Sequence, residues 1–256
     1  MRIEDLCILG RASPDRLKDG RETVCVAGYS NQYGFIRVYP TKVTSPLIRW
    51  NIVSVEVERD TRDTRHESWK IVGSKREWSD LDKKITVVGE VNTKDKENII
   101  VNHLDQCVHG INEDKRSLGI IKPIVDKCYF GIREGYNPYI QKSLIAGILP
   151  IKTKENFPLV PRIRYRCSSC RAKGFHDQQV IDWGFYEWIR KNSNNKDQVW
   201  ENAKIKNSSS DIYFLVGNQM IHRLSFMIIS VLSIPRKKAN NLNLDVFKSN
   251  IDVHDN

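Results

Sequence analysis

Apolar and polar residues alternate at period two through much of the first 60 residues, the mark of strands with one buried face. The strictest case is Ile52 to Glu58, where Ile52, Val53, Val55 and Val57 stand against Ser54, Glu56 and Glu58. Arg2 to Leu9, Thr23 to Tyr29 and Phe35 to Tyr39 read the same way, with a hairpin-like connection at Asn31 to Gly34 and a stop at Pro40. The pattern predicts an antiparallel sheet or a small barrel. Further on, Ile85 to Val91 is another short strand. Glu97 to Ile111 sets Ile100, Val101, Leu104, Val108 and Ile111 at helical spacing, and Leu118 to Val125 and Lys127 to Arg133 are strands interrupted by Pro123.

The second half is organised around Pro161 to Asn192. Arg162, Arg164 and Arg166 alternate with Ile163 and Tyr165, which predicts a strand with one basic and one apolar face. After His176 the period lengthens to about 3.6 residues: Ile181, Phe185, Trp188 and Ile189 form one stripe, with Asp177, Gln178 and Gln179 expected in the first turn of the helix. Lys196 to Lys206 predicts a second short helix. Asp211 to Val216 and Leu224 to Ile234 predict a β-hairpin whose tip carries Asn218, Gln219, His222 and Arg223.

Together these elements predict an α+β fold of mostly antiparallel sheets or small β-barrels, with a C-terminal strand, CxxC knuckle, helix and β-hairpin unit. Three prolines between Leu149 and Pro161 mark a boundary near residue 155. The expected division is a β-rich domain with one helix over 1–155, an α+β domain over 156–238, and a mobile polar tail over 239–256.

The candidate chemistry lies where the arginine strand ends. Cys167-Ser168-Ser169-Cys170 can present two thiolates to one tetrahedral metal, and His176 is placed to supply a third ligand. A fourth is absent nearby; His222 and Cys128 are the distant candidates, with His222 preferred. The expected cofactor is a structural zinc ion. A lone CxxC is equally the pattern of two reduced thiols or of a redox pair.

Charge adds a second clue. The 256 residues carry a formal net charge of +10, which favours polyanionic partners through release of counterions from phosphates. Part of the lysine content follows from a Lys-, Asn- and Ile-rich composition, but the arginines cluster. Arg37 and Arg49 lie among Tyr29, Tyr33, Phe35, Tyr39 and Trp50, a mixture of rings and cations that suits nucleic acid. With Arg162, Arg164, Arg166, Arg171, Lys173, Gln219 and Arg223 they form the expected nucleic-acid-binding set.

The six cysteines are scattered apart from the CxxC, as buried reduced thiols are. MRIEDLCILG has acids where a secretory apolar run would stand, and the apolar run at 224–234 is broken by serines and too short for a bilayer. A cytoplasmic protein without membrane contact is expected. The leading functional expectation is binding of DNA or RNA, alone or as a subunit of a larger nucleoprotein complex with protein partners. The alternative is a metal-dependent nuclease or other enzyme acting on nucleic acid or nucleotides, with Asp177, Asp182, Glu187 and His176 as its groups. No P-loop, HExxH, GxSxG or HxE motif supports that alternative.

Overall fold

The computed structural model describes residues 1–17, 19–74, 76–133, 157–170, 172–205 and 209–236. The predicted division near residue 155 and the predicted tail both fall outside them.

The early alternation closes into a barrel. Its five strands are β1 (Arg2–Arg11), β3 (Glu22–Ser30), β4 (Gly34–Lys42), β6 (Ser68–Ile71) and β5 (Asn51–Arg59), hydrogen-bonded in that order and sealed by pairing of β1 with β5. All neighbours are antiparallel except β4 and β6. Closure removes the open edges a flat sheet would leave. Val53, Val55 and Val57 point into the barrel core with Ile3, Ile8, Val24, Ile36 and Ile71, as their spacing dictates, whereas Ile52 packs outside the barrel. Gly28 leaves no room for a side chain beside β1: a Cβ there would lie 2.4 Å from the Cys7 carbonyl oxygen. Two further strands flank the barrel, β2 (Asp15–Arg16) on β3 and β7 (Ile85–Glu90) on β5.

The helix expected over 97–111 is instead two helices. In α1 (Thr93–Asn102) the Asn92 side chain caps the start by accepting from the Asp95 amide. His103 ends it and stacks on Tyr29, ring centroids 3.9 Å apart. The chain then turns extended as β8 (Leu104–Asp105), pairing in parallel with β9 (Leu118–Ile121), before α2 (Val108–Glu113). Pairing with β9 overrides the local helical period here.

A second correction concerns the segment after the CxxC. Residues expected in the first helical turn form a strand, β12 (His176–Gln179), completing a sheet with β10 (Pro123–Ile132) and β11 (Leu159–Cys167). Gln178 is drawn into the sheet because its side-chain oxygen accepts the hydrogen bond of the buried Tyr165 hydroxyl, at 2.8 Å. Helix α3 (Trp183–Lys191) starts only where Asp182 caps it, accepting from the Gly184 amide at 2.7 Å. A short α4 (Gln198–Asn202) follows.

Strands β13 (Ser210–Asn218) and β14 (Phe226–Pro235) form the predicted hairpin, extended by β9 and β8. It is buried on both faces, which explains its nearly unbroken apolar sequence. Ile212, Phe214 and Val216 face Tyr165 and α3; Tyr213 and Leu215 face Leu9 and Ala27 on the outside of the barrel. Among the described residues no helix is long and apolar enough to cross a membrane.

Polar groups also lock the hairpin side to the barrel. The buried Glu67 carboxylate accepts from the Ser117 amide and hydroxyl at 2.7 and 2.9 Å. Arg65, clamped by Asp63, donates to the Asn218 carbonyl at 2.7 Å. Asp182 accepts from Ser230 Oγ at 2.9 Å and from the Val231 amide at 3.2 Å, and Arg49 donates to Ser230 Oγ at 2.9 Å.

Phe214→Ala should lower unfolding free energy by about 3–5 kcal/mol in urea titrations, against less than about 0.5 kcal/mol for Ile132→Ala at an 85% exposed site. Asp63 is held near pKa 2, below its ordinary 3.8; burial pushes it up, but hydrogen bonds from Arg65 and Ser68 outweigh that. A depressed carboxyl stabilises above its unfolded pKa and loses that contribution as protons bind, so stability should drop from about pH 4 to pH 2 and Asp63→Asn should flatten the drop.

Candidate functional site

Three elements bring four soft or nitrogen donors together. Cys107 is the residue that caps the start of α2, Cys167 ends β11, Cys170 closes the tight turn after it, and His176 opens β12. Their ligand atoms all lie within 4.8 Å of one another, so the group can hold a metal ion. Cys170 Sγ is 3.6 Å from Cys107 Sγ and 3.2 Å from His176 Nε2, and Cys107 Sγ is 3.9 Å from that nitrogen. A tetrahedral centre with metal–sulfur bonds of about 2.3 Å and metal–nitrogen bonds of about 2.0 Å has edges of about 3.8 and 3.5 Å, so the spacing fits.

Local electrostatics favour a neutral imidazole at His176 and a thiolate at Cys170, and oppose a thiolate at Cys167 until a cation is present. Burial, followed by the neighbouring His109, lowers the His176 pKa and keeps the ring neutral. Burial pushes the Cys167 thiol well up. For Cys170 the same burial penalty is outweighed by backbone hydrogen bonds at Ala172 and Cys167, so its thiol titrates below the ordinary range and is the first of the pair to ionise.

Cys167, Cys170 and His176 thus meet as their spacing predicts, but the fourth position belongs to Cys107. His222 sits exposed at the β13–β14 turn, away from the group, and Cys128 packs against the hydrophobic core from β10. Cys107 went unseen because it is 60 residues from Cys167 and resembles a core thiol; the signal available was His109 two positions on, whose ring centroid lies 5.5 Å from that of His176.

The cationic residues fall into three groups. Arg162, Arg164 and Arg166 share the outer face of β11 as predicted. Arg162 pairs with Asp177 at 2.9 Å and Arg164 with Asp126 at 2.5 Å. The Arg164 and Arg166 guanidinium groups lie 5.0 and 4.4 Å from the centre of the exposed Phe175 ring, and Lys127 lies over Tyr129 on the neighbouring strand. Lys173 is exposed in the same loop as Phe175; Arg171 is outside the described residues.

Arg37 and Arg49 have other partners. Arg37 is only 6% exposed and donates to the Ser117 carbonyl at 3.1 Å and towards Cys25 Sγ at 3.7 Å. Arg49 reaches across to Ser230, the Val231 carbonyl and Asp182. Both therefore join the barrel to the hairpin and do not extend the β11 face. Gln219 and His222 line a cleft with Arg37, while Arg223 donates to Thr64 Oγ1 at 2.7 Å. The carboxylates of the enzymatic alternative diverge: Asp177 pairs with Arg162, Asp182 caps α3 and Glu187 pairs with Arg190.

Residues 2–106 match the family model described as a domain of unknown function (DUF8758), and residues 105–248 match that described as a domain of unknown function (DUF8757). No curated protein matches the chain.

Cys107→Ser should lower bound metal from about one ion per chain towards zero in elemental analysis of purified protein, whereas His222→Ala should leave it unchanged.

Proposed function

We propose, from the premise that the chain belongs to the DUF8757 family, that it is a cytoplasmic, zinc-knit nucleic-acid-binding protein that takes single-stranded DNA or RNA on the outer face of β10, β11 and β12. Three thiolates and one imidazole make a closed donor set with no position left for substrate, which is the pattern of structural zinc. The cysteines are free of disulfides, in keeping with a reducing compartment.

The observation that carries the reading is the sheet face itself. Lys127, Arg162, Arg164 and Arg166 stand there against two carboxylates, Asp126 and Asp177, with the Tyr129 and Phe175 rings between them. Bases stack on exposed rings while phosphates meet the cations, and a strand whose bases are unpaired can do both at once. Phe175 lies on the loop between the ligands Cys170 and His176. An ion held by those two residues fixes the ends of that loop, and with them the ring that a base would stack on.

Fluorescence anisotropy of labelled oligonucleotides across a salt series tests the reading. Binding should weaken with salt at a log–log slope of about −1 to −2 for single strands, as for two to three phosphate contacts, since Arg162 and Arg164 already pair with carboxylates. Phe175→Ala should weaken it by about 1–3 kcal/mol, and Arg166→Gln should reduce the slope by about one contact. Salt-independent binding, or full affinity in Phe175→Ala, would sink the proposal.

A further inference from the structure

At the hairpin tip, between the barrel and β13–β14, lies a cleft of about 470 Å³. This is within the range of small-ligand sites. Arg37, Arg65 and Arg133 line it with a single carboxylate, Asp15, among its described lining residues. Arg65 is neutralised by Asp63. Arg37, almost fully buried, has no carboxylate within ion-pair distance among the described residues, and neither has the half-buried Arg133, whose Nε donates to the Phe157 carbonyl.

A buried cation without a counter-charge is costly, and proteins retain one where something else supplies the anion. The hydrogen-bond inventory points the same way. Among the described residues nine buried side-chain polar atoms have no partner, and three of them belong to residues lining this cleft: Arg37 Nε, Arg133 Nη2 and Asn218 Oδ1. The backbone also makes room for the guanidinium, since a Cβ on Gly217 would lie 2.9 Å from Arg37 Nη2. Opposite the arginines, Ile181, Met227 and Ile229 supply an apolar wall.

We propose that this cleft is a binding site for a phosphate monoester of mononucleotide size, its phosphate meeting Arg37 and Arg133 and its apolar body lying against Ile181, Met227 and Ile229. Planar guanidinium groups offer paired donors that match phosphate oxygens. The cleft has no lining residue in common with the cations and rings proposed for the sheet face, and binding in it does not depend on nucleic-acid binding there.

Calorimetric titration of the full chain with AMP, GMP, CMP, UMP, adenosine, inorganic phosphate and hexanoate tests it. At least one nucleotide should bind about 10- to 100-fold more tightly than adenosine and hexanoate, with inorganic phosphate weaker than that nucleotide. Arg37→Met should remove this preference while Phe175→Ala leaves it intact. Should Arg37→Met fail to fold, Ile221→Asp places a carboxylate at a 79% exposed position on the rim, and it should weaken the nucleotide without disturbing the core. Failure of all four nucleotides to bind, equal binding of adenosine or hexanoate, or unchanged nucleotide affinity in Ile221→Asp would each overturn the assignment.

Discussion

A charge removed from water must find a partner, and that constraint fixes how the two parts of this protein sit together. Glu67 from the barrel side takes both donors of Ser117; Asp182 gathers the Gly184 and Val231 amides and the Ser230 hydroxyl. Arg37, Arg49 and Arg65 reach from the barrel as Glu67 does and end on carbonyls or hydroxyls of the hairpin side. Apolar contact alone is non-directional and would tolerate sliding of the hairpin over the barrel wall. These directional contacts do not. They set the register in which β13 and β14 lie on the barrel, and with it the start of α3 and the walls of the arginine-lined cleft.

The thiol–imidazole group plays the corresponding part on the opposite face of the hairpin. Its donors come from the start of α2, the end of β11 and the start of β12, so one ion would tie together three separate pieces of chain at the edge of a core they share. Tyr165 packs beneath it, with its ring 5.2 Å from both His176 and Phe214. The metal centre, the core and the inner side of the arginine strand are thus one continuous stack. In the proposed function, that stack holds the outer side of the strand flat and presents its rings and cations to a ligand.

The sequence by itself determined, for several strands, which face is apolar and at what period. Val53, Val55 and Val57 turned inward, Arg162, Arg164 and Arg166 outward, and the double-sided hairpin kept its apolar run, because each depends only on the geometry of a single strand. The nearness of Cys167, Cys170 and His176 was legible for the same reason: a tight turn and a strand pairing bring them close along the chain.

Tertiary structure decided everything that required two distant segments to meet. The expected helix over 97–111 broke because β9 offered Leu104 and Asp105 a pairing, and residues 176–179 joined β11 in preference to beginning α3. Cys107 entered the metal group, and Arg37 and Arg49 left the expected surface for the seam, through contacts with residues 60 or more positions away. Local periodicity records the face a residue prefers; it carries no information on which partner will be waiting there, since that is set by closure of the barrel and by the demand of buried polar groups for one another.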